Sequence, residues 1–468
     1  MTLVHIETEP IIKPLLRDIR KLERKITEET KSEIYRIQED ILFWIIDSEY
    51  RIKGLKESLT FIKKFTKSIN DIDKEIKKDV PYELYYSIVS SIKRDIESYK
   101  DRINILKSLM DSIVWKFCDN VEIKYLSFNK KKSPIIGKIG FLHEFHVLEC
   151  FKREYKDKKI FFVLNDLTNC IKISDISVIG EYGLAQLLEC KMSTKEDRHT
   201  RKQFSRAKKT LEFLEEGQME VDKEYFVTTN MLDNKPEPWT VEIKKNKNIN
   251  IEHEFTSMEE CIRKAKLDGK AEIRVNNCVT FACSDLTKTS ELTKKQKEIL
   301  KKSSKKPFTP EVADWMIKKR YFESESEDSQ IHENLEKDVN KEKKESKIGK
   351  FLFDVCQYDS RLGYRIPYYL PFASFKIPEE YILDLLLDRI FFMVILDLDQ
   401  LIKRLAQAGL KAKFINKPPL QHISIENLEG KKFICEDLFF KLGHEVLSID
   451  YFINILKFLC NSKIYKNS

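Results

Sequence analysis

From the first residues of the chain, apolar positions recur at steps of three and four. Ile12, Leu15, Ile19, Leu22 and Ile26 form one series, and Ile34, Ile37, Ile41, Ile45, Ile52, Leu55, Leu59 and Ile62 form another. This is the period of an amphipathic helix. It breaks at Asp79-Val80-Pro81, where proline removes a backbone donor and clashes with the preceding turn. It resumes through Tyr85, Ile88, Ile92, Ile96, Ile103, Leu106, Leu109 and Ile113. Residues 1–128 are therefore expected to form a long antiparallel helical hairpin or a small bundle. A stripe of this length packs either within the chain or against a second copy, so a homodimer through these helices is also expected.

The pattern then changes. Gly140 to Phe151 keeps helical spacing, with Phe141, Phe145, Leu148 and Phe151 on or near one face and Glu144 beside them. Lys159 to Asn165 reads as a strand, Ile171 to Ile179 as a second, and Gln186 to Met192, after a Gly-containing turn, as a third. Asp197 to Glu216 returns to helical spacing, and Glu224 to Asn230 reads as a further, buried strand. Val241 to Asn250 and Ala271 to Cys283 alternate like strands around a helix at Ser257 to Asp268, and are expected to extend the same sheet. These elements make a domain of residues 129–285.

Residues 286–349 begin with a lysine-rich run, Lys294 to Lys306, and pass into a stretch of Glu, Ser, Lys, Asp and Asn with almost no apolar residues. Such a composition cannot bury enough surface to fold, so it reads as a basic segment and charged linker. Residues 350–468 are rich in aromatics and leucine. Tyr381 to Leu401, interrupted by Asp384, Asp388, Arg389, Asp397 and Asp399, is expected to be a buried helix or two, within a mostly helical C-terminal domain. The fold class expected is multidomain α+β.

Composition narrows the function classes. With 468 residues, 42% hydrophobic and 34% charged, and only 12 glycines and 13 prolines, the chain has the makeup of a well-cored, helix-rich protein. No signal sequence or membrane span is expected, and the 10 cysteines form neither a zinc-type C-x-x-C nor a secreted disulfide framework. A cytoplasmic protein with reduced thiols is expected. A G-x-x-x-x-G-K phosphate loop, an H-E-x-x-H helix and a G-x-S-x-G elbow are all missing, which argues against an ATP motor, a zinc protease and a serine hydrolase. The formal net charge of +8 is informative where it is concentrated. One such place is the helix from Asp197, where Arg198, Arg201 and Arg206 with Lys202, Lys208 and Lys209 make a basic face opposite Phe204, Ala207, Leu211 and Leu214. That face suits a phosphate backbone.

The chemistry lies in the two strands before that helix. Side chains alternate along a strand, so Glu189 and Lys191 share a face. If the second and third strands pair as a hairpin, Asp175 sits beside Glu189. Two carboxylates held together repel unless a cation lies between them, and hard oxygen ligands suit Mg²⁺ or Mn²⁺. Lys191 would then orient or deprotonate water or neutralise charge developing on a phosphate. An exposed cross-strand ion pair is the plain alternative. The third strand is expected to be central in its sheet, where charged residues are rare without a role.

Asp175 with Glu189-Cys190-Lys191, preceded by Gly140-x-x-x-Glu144, resembles the PD-(D/E)xK nuclease superfamily over about residues 137–231. The resemblance implies a restriction-endonuclease-like α/β core with a mixed sheet, of the Mrr or Holliday-junction-resolvase kind. It also implies that Asp175 and Glu189 ligate Mg²⁺ with help from the Cys190 carbonyl, that Glu144 joins directly or through water, and that Lys191 assists the attacking water. Gln203 matches a polar position near the site in many members. Ser174 stands where the name of the superfamily has proline. The activity expected is a Mg²⁺-dependent endonuclease on DNA, in restriction or genome defence. The alternatives are a junction- or end-processing repair nuclease and a non-catalytic nucleic-acid-binding scaffold.

Overall fold

A computed structural model of the protein describes residues 3–72, 82–118, 123, 134–138, 140–171, 174–188, 190, 252–287, 350–355, 370–417, 420–426 and 432–461. These fall into two compact units. The first holds the described residues up to Cys190 together with Leu370–Phe375, and the second holds 252–287, 350–355 and 376–461. Both combine helices with small antiparallel sheets.

The first unit opens with helices α1 (Leu3–Lys21), α2 (Glu28–Ile72) and α3 (Tyr82–Phe117). They form the bundle that the hydrophobic period predicts. Ile12, Leu15, Ile19, Ile34, Ile37, Ile41, Ile45, Leu106, Leu109 and Ile113 are buried in it. Further out, where α2 and α3 pair with each other, the core thins to Ile52, Ile96 and Tyr99 with Leu55, Ile92 and Ile103 half-buried. Ile88 is exposed and its neighbour Val89 is buried instead. The stripe is thus mostly used inside the chain. From Ile12 to Ile52 it packs within the chain, one of the two packings that the sequence allows. Polar groups join in too: the buried Arg102 guanidinium donates to Thr8 Oγ1 at 3.0 Å and lies 3.4 Å from Glu7 and 3.6 Å from Asp47.

Helix α4 (Phe141–Glu154) buries Phe141, Glu144 and Leu148 along one face, the i, i+3, i+7 spacing of a helix lying on a sheet. Strands β1 (Ile160–Leu164), β2 (Ile176–Gly180) and β3 (Gly183–Leu188) follow in an antiparallel sheet of order β1-β2-β3. The helix, strand, strand, strand order matches the expectation. The boundaries do not. Ser174 adopts a left-handed φ of +59°, which interrupts extended backbone, so β2 starts at Ile176 and Asp175 stands at its mouth. The turn is Glu181-Tyr182, and β3 begins at Gly183, whose φ of +117° glycine adopts without steric cost. Among the described residues β2 is central and β3 lies at the edge, with Ala185 and Gln186 exposed. The sheet is antiparallel as far as it is described. The basic helix from Asp197, the strand Glu224 to Asn230 and the strand-like Val241 to Asn250 lie outside the described residues.

The bundle helices pack directly on this sheet. As an edge strand, β1 has N–H groups that β2 does not use. Those of Phe162 and Leu164 donate to Tyr35 Oη (3.3 Å) and Gln38 Oε1 (2.9 Å) of α2. The Lys31 ammonium, also on α2, donates to the carbonyls of Lys156 and Lys158 before β1. The segment Leu370–Phe375 joins the same unit, with Phe372 and Phe375 buried and the Phe375 carbonyl accepting from Arg20.

The second unit corrects two expectations. Residues 252–287 form helix α5 (Phe255–Asp268) and strands β4 (Lys270–Arg274) and β5 (Val279–Asp285). These do not extend the first sheet. With β6 (Lys350–Asp354) and β7 (Ile390–Asp397) they make a separate sheet of order β4-β5-β7-β6. Among the described residues the C-terminal part is not mostly helical but mixes helices with strands. After α6 (Glu379–Leu386), Asp388 turns the chain with a φ of +49°, and Phe391 to Leu396 run through β7. That strand is buried along most of its length, so it shows no alternation and cannot be told from a buried helix by period. Helix α7 (Leu398–Gln407), the sheet β10-β9-β8 (β8 Lys411–Lys417, β9 Leu420–Glu426, β10 Lys432–Cys435) and helices α8 (Glu436–His444) and α9 (Ile449–Asn461) complete it. Among the described residues no helix is long and apolar enough to cross a membrane.

Candidate active site

Helix α4 presents Glu144 from its first turn, on the face turned inward, and the side chain is 4% exposed. At the end of β1, a 3₁₀ turn over Asn165–Leu167 buries Asp166. Asp175 follows at the mouth of β2, where its N–H donates to the Leu188 carbonyl (3.0 Å) and its carbonyl accepts from Asn165 (2.9 Å). Its carboxylate Oδ2 accepts from the Cys190 N–H at 2.8 Å. The acid of the second strand thus touches the chain directly after Glu189. The hairpin pairing predicted from sequence is present, with Ile176 opposite Leu188.

A residue that sequence reasoning did not single out joins these acids. Lys138 Nζ lies 2.8 Å from Glu144 Oε1, 2.7 Å from Asp166 Oδ2 and 3.7 Å from Asp175 Oδ1. Burial pushes the Glu144 carboxyl above its ordinary value. The Lys138 hydrogen bond opposes that rise and the charge on Asp175 adds to it. For Lys138, burial acts against the charged form, but the charges and hydrogen bonds of Asp166 and Glu144 prevail and hold its ammonium protonated well above the usual lysine range.

The bundle helices hold the loops that bring these groups together. Glu49 of α2 accepts from the N–H groups of Ile135 (3.0 Å) and Ile136 (2.7 Å), at the base of the loop that carries Lys138. Asp111 of α3 accepts through one oxygen from Asn169 (2.8 Å) and Cys170 (3.0 Å), in the loop after Asp166. Burial raises the Asp111 carboxyl to about 6, against the lowering effect of those backbone bonds.

Of the residues expected at the site, the structure brings together Glu144, Asp175 and the backbone of Cys190. Glu189, Lys191, Arg198, Arg201, Gln203 and Arg206 lie outside the described residues. Asp166 and Lys138 were missed because neither belongs to a spaced motif. The available signals were local: an acid directly after a buried strand, and a lysine between Gly137 and Gly140. Among the described residues, no group of three or more His, Cys, Asp or Glu side chains is arranged to hold a metal ion. In kind the donors suit a hard divalent cation, since Glu144 and Asp175 offer carboxylate oxygens to a shared cationic neighbour; here that neighbour is the Lys138 ammonium.

Compared with protein-family models, with curated proteins and with solved structures, the chain gives no match.

Proposed function

We propose that the first unit is a metal-dependent phosphodiesterase acting on nucleic acid, with DNA as the substrate. The observation that supports this best is the bond from the Cys190 N–H to Asp175 Oδ2, because it ties the two halves of the motif together beside the buried Glu144. In this reading Asp175, Glu189 and the Cys190 carbonyl hold Mg²⁺ or Mn²⁺, and Glu144 supports them. The ion supplies charge stabilisation at the phosphate and a more acidic bound water. Lys191 orients that water, and Arg198, Arg201, Gln203 and Arg206 grip and position the backbone. Restriction or genome defence is the role proposed, with junction or end processing in repair as the alternative enzyme.

A second reading has an observation of its own. Lys138 sets an ammonium among the buried acids, a compensation that a non-catalytic nucleic-acid-binding scaffold would use as its permanent one. Incubating the full chain with plasmid, linear, single-stranded and branched DNA and with RNA, in Mg²⁺, Mn²⁺ or EDTA, separates the two. Cleavage that EDTA abolishes supports the enzyme. Binding without cleavage under every condition supports the scaffold.

A further inference from the structure

We propose that Lys138 is a built-in counter-ion that offsets part of the site's negative charge while no metal is bound and withdraws its ammonium from Asp175 and Glu144 when a divalent cation arrives. The proposal rests on the reading of this site as a metal centre. Glu144, Asp166 and Asp175 are 4%, 6% and 15% exposed, and carboxylates this buried and this close cannot all stay charged without a cation among them. Lys138 reaches all three from a different segment of the chain. One ammonium leaves an excess of negative charge, so the cluster still attracts a divalent ion that brings twice the charge.

The geometry also allows withdrawal. Glu49 pins the base of the loop, at Ile135 and Ile136. Gly137 then turns the chain with a φ of +87°. The lysine side chain is the least buried member of the group, at 29% exposed. Its contacts are graded. The 3.7 Å approach to Asp175 Oδ1 is the longest, and the 2.7 Å bond to Asp166 Oδ2 is the shortest. A cation taken by Asp175 and Glu144 thus competes first with the weakest contact, and the ammonium keeps Asp166, its shortest contact, as its partner. Asp166 is in this sense a parking place for Lys138.

Calorimetry with MgCl₂ and MnCl₂ on the full-length protein tests this, together with melting in EDTA. Replacing the ammonium by an apolar chain in Lys138→Met is expected to tighten metal binding on the order of tenfold or more, since unit charges a few ångström apart interact strongly even near a surface. It is also expected to lower the melting temperature in EDTA and to enlarge the rise on adding metal. Lys138→Arg, which keeps the charge, should bind metal much as the wild type does. If Lys138→Met fails to fold, the wild type still answers: amine acetylation at Lys138, read by mass spectrometry, should be slow in EDTA and several-fold faster with Mg²⁺. Equal metal affinity in wild type and Lys138→Met, or acetylation indifferent to metal, overturns the proposal and leaves the metal centre standing. Failure of both proteins to bind Mg²⁺ or Mn²⁺ at millimolar concentration overturns the metal centre itself, and this inference with it.

Discussion

Asp175 Oδ2 accepts a hydrogen bond from the backbone N–H of Cys190 at 2.8 Å, so one acid both closes the mouth of the β2–β3 hairpin and faces the segment that bears Glu189 and Lys191. Asp175→Ala and Glu189→Ala are expected to abolish metal-dependent cleavage while nucleic-acid affinity survives, because the residues proposed to grip the phosphates lie elsewhere in the chain. Gel-shift and cleavage assays on the same preparations check this. Wild-type cleavage by either variant would refute the assignment.

Lys191→Ala should behave differently. Removing one charged group aimed at the transition state costs on the order of 10²–10³ in rate, and the metal ligands are untouched. Single-turnover cleavage should slow by that factor while calorimetric metal binding is retained. Loss of metal binding would make Lys191 a structural ion-pair partner.

Arg201→Ala combined with Arg206→Ala is expected to weaken binding to every sequence alike. Each lost phosphate contact on duplex DNA removes roughly 0.9 from the log–log slope of affinity against salt. A slope equal to that of the wild type would shift the contact to the lysines between Lys294 and Lys306.

Asp111 gives a pH dependence that can be separated from catalysis. Its carboxyl is raised from 3.8 to about 6 by burial, so the folded state holds its proton more tightly than the unfolded chain does. The stabilisation is complete below about pH 4 and is lost as pH rises through about 6, a change on the order of 3 kcal/mol. Asp111→Asn keeps an Oδ1 able to accept from Asn169 and Cys170 and cannot titrate. Urea midpoints between pH 4 and 7 should fall more steeply for wild type than for Asp111→Asn. Parallel curves would mean that Asp111 has the same affinity for protons folded and unfolded.

A chain beginning near Asn129 should fail to fold. It lacks Tyr35 and Gln38, which satisfy the edge of β1, Glu49, which holds the Lys138 loop, and Asp111, which holds the loop after Asp166. A buried donor left without an acceptor costs about 1–3 kcal/mol, and several are lost at once. Circular dichroism and proton NMR of the truncated chain decide the matter. A dispersed, cooperatively melting spectrum would restore the independent core.

The sequence by itself determined the elements whose burial repeats locally. The three- and four-residue period of α1 to α3, the inward face of α4 with Glu144 on it, and the pairing of β2 with β3 were all legible, because each side chain's environment is set by its own neighbours in the chain. Tertiary structure alone decided what distant segments do to one another. Lys138, Glu144, Asp166 and Asp175 meet where Glu49 and Asp111 hold two separate loops, and no spacing announces such a meeting. The pairing of β5 with β7, Val279 opposite Leu396, was hidden for the same reason. A long-range partner leaves no period in the sequence, and a strand buried along most of its length shows no alternation by which to tell it from a helix.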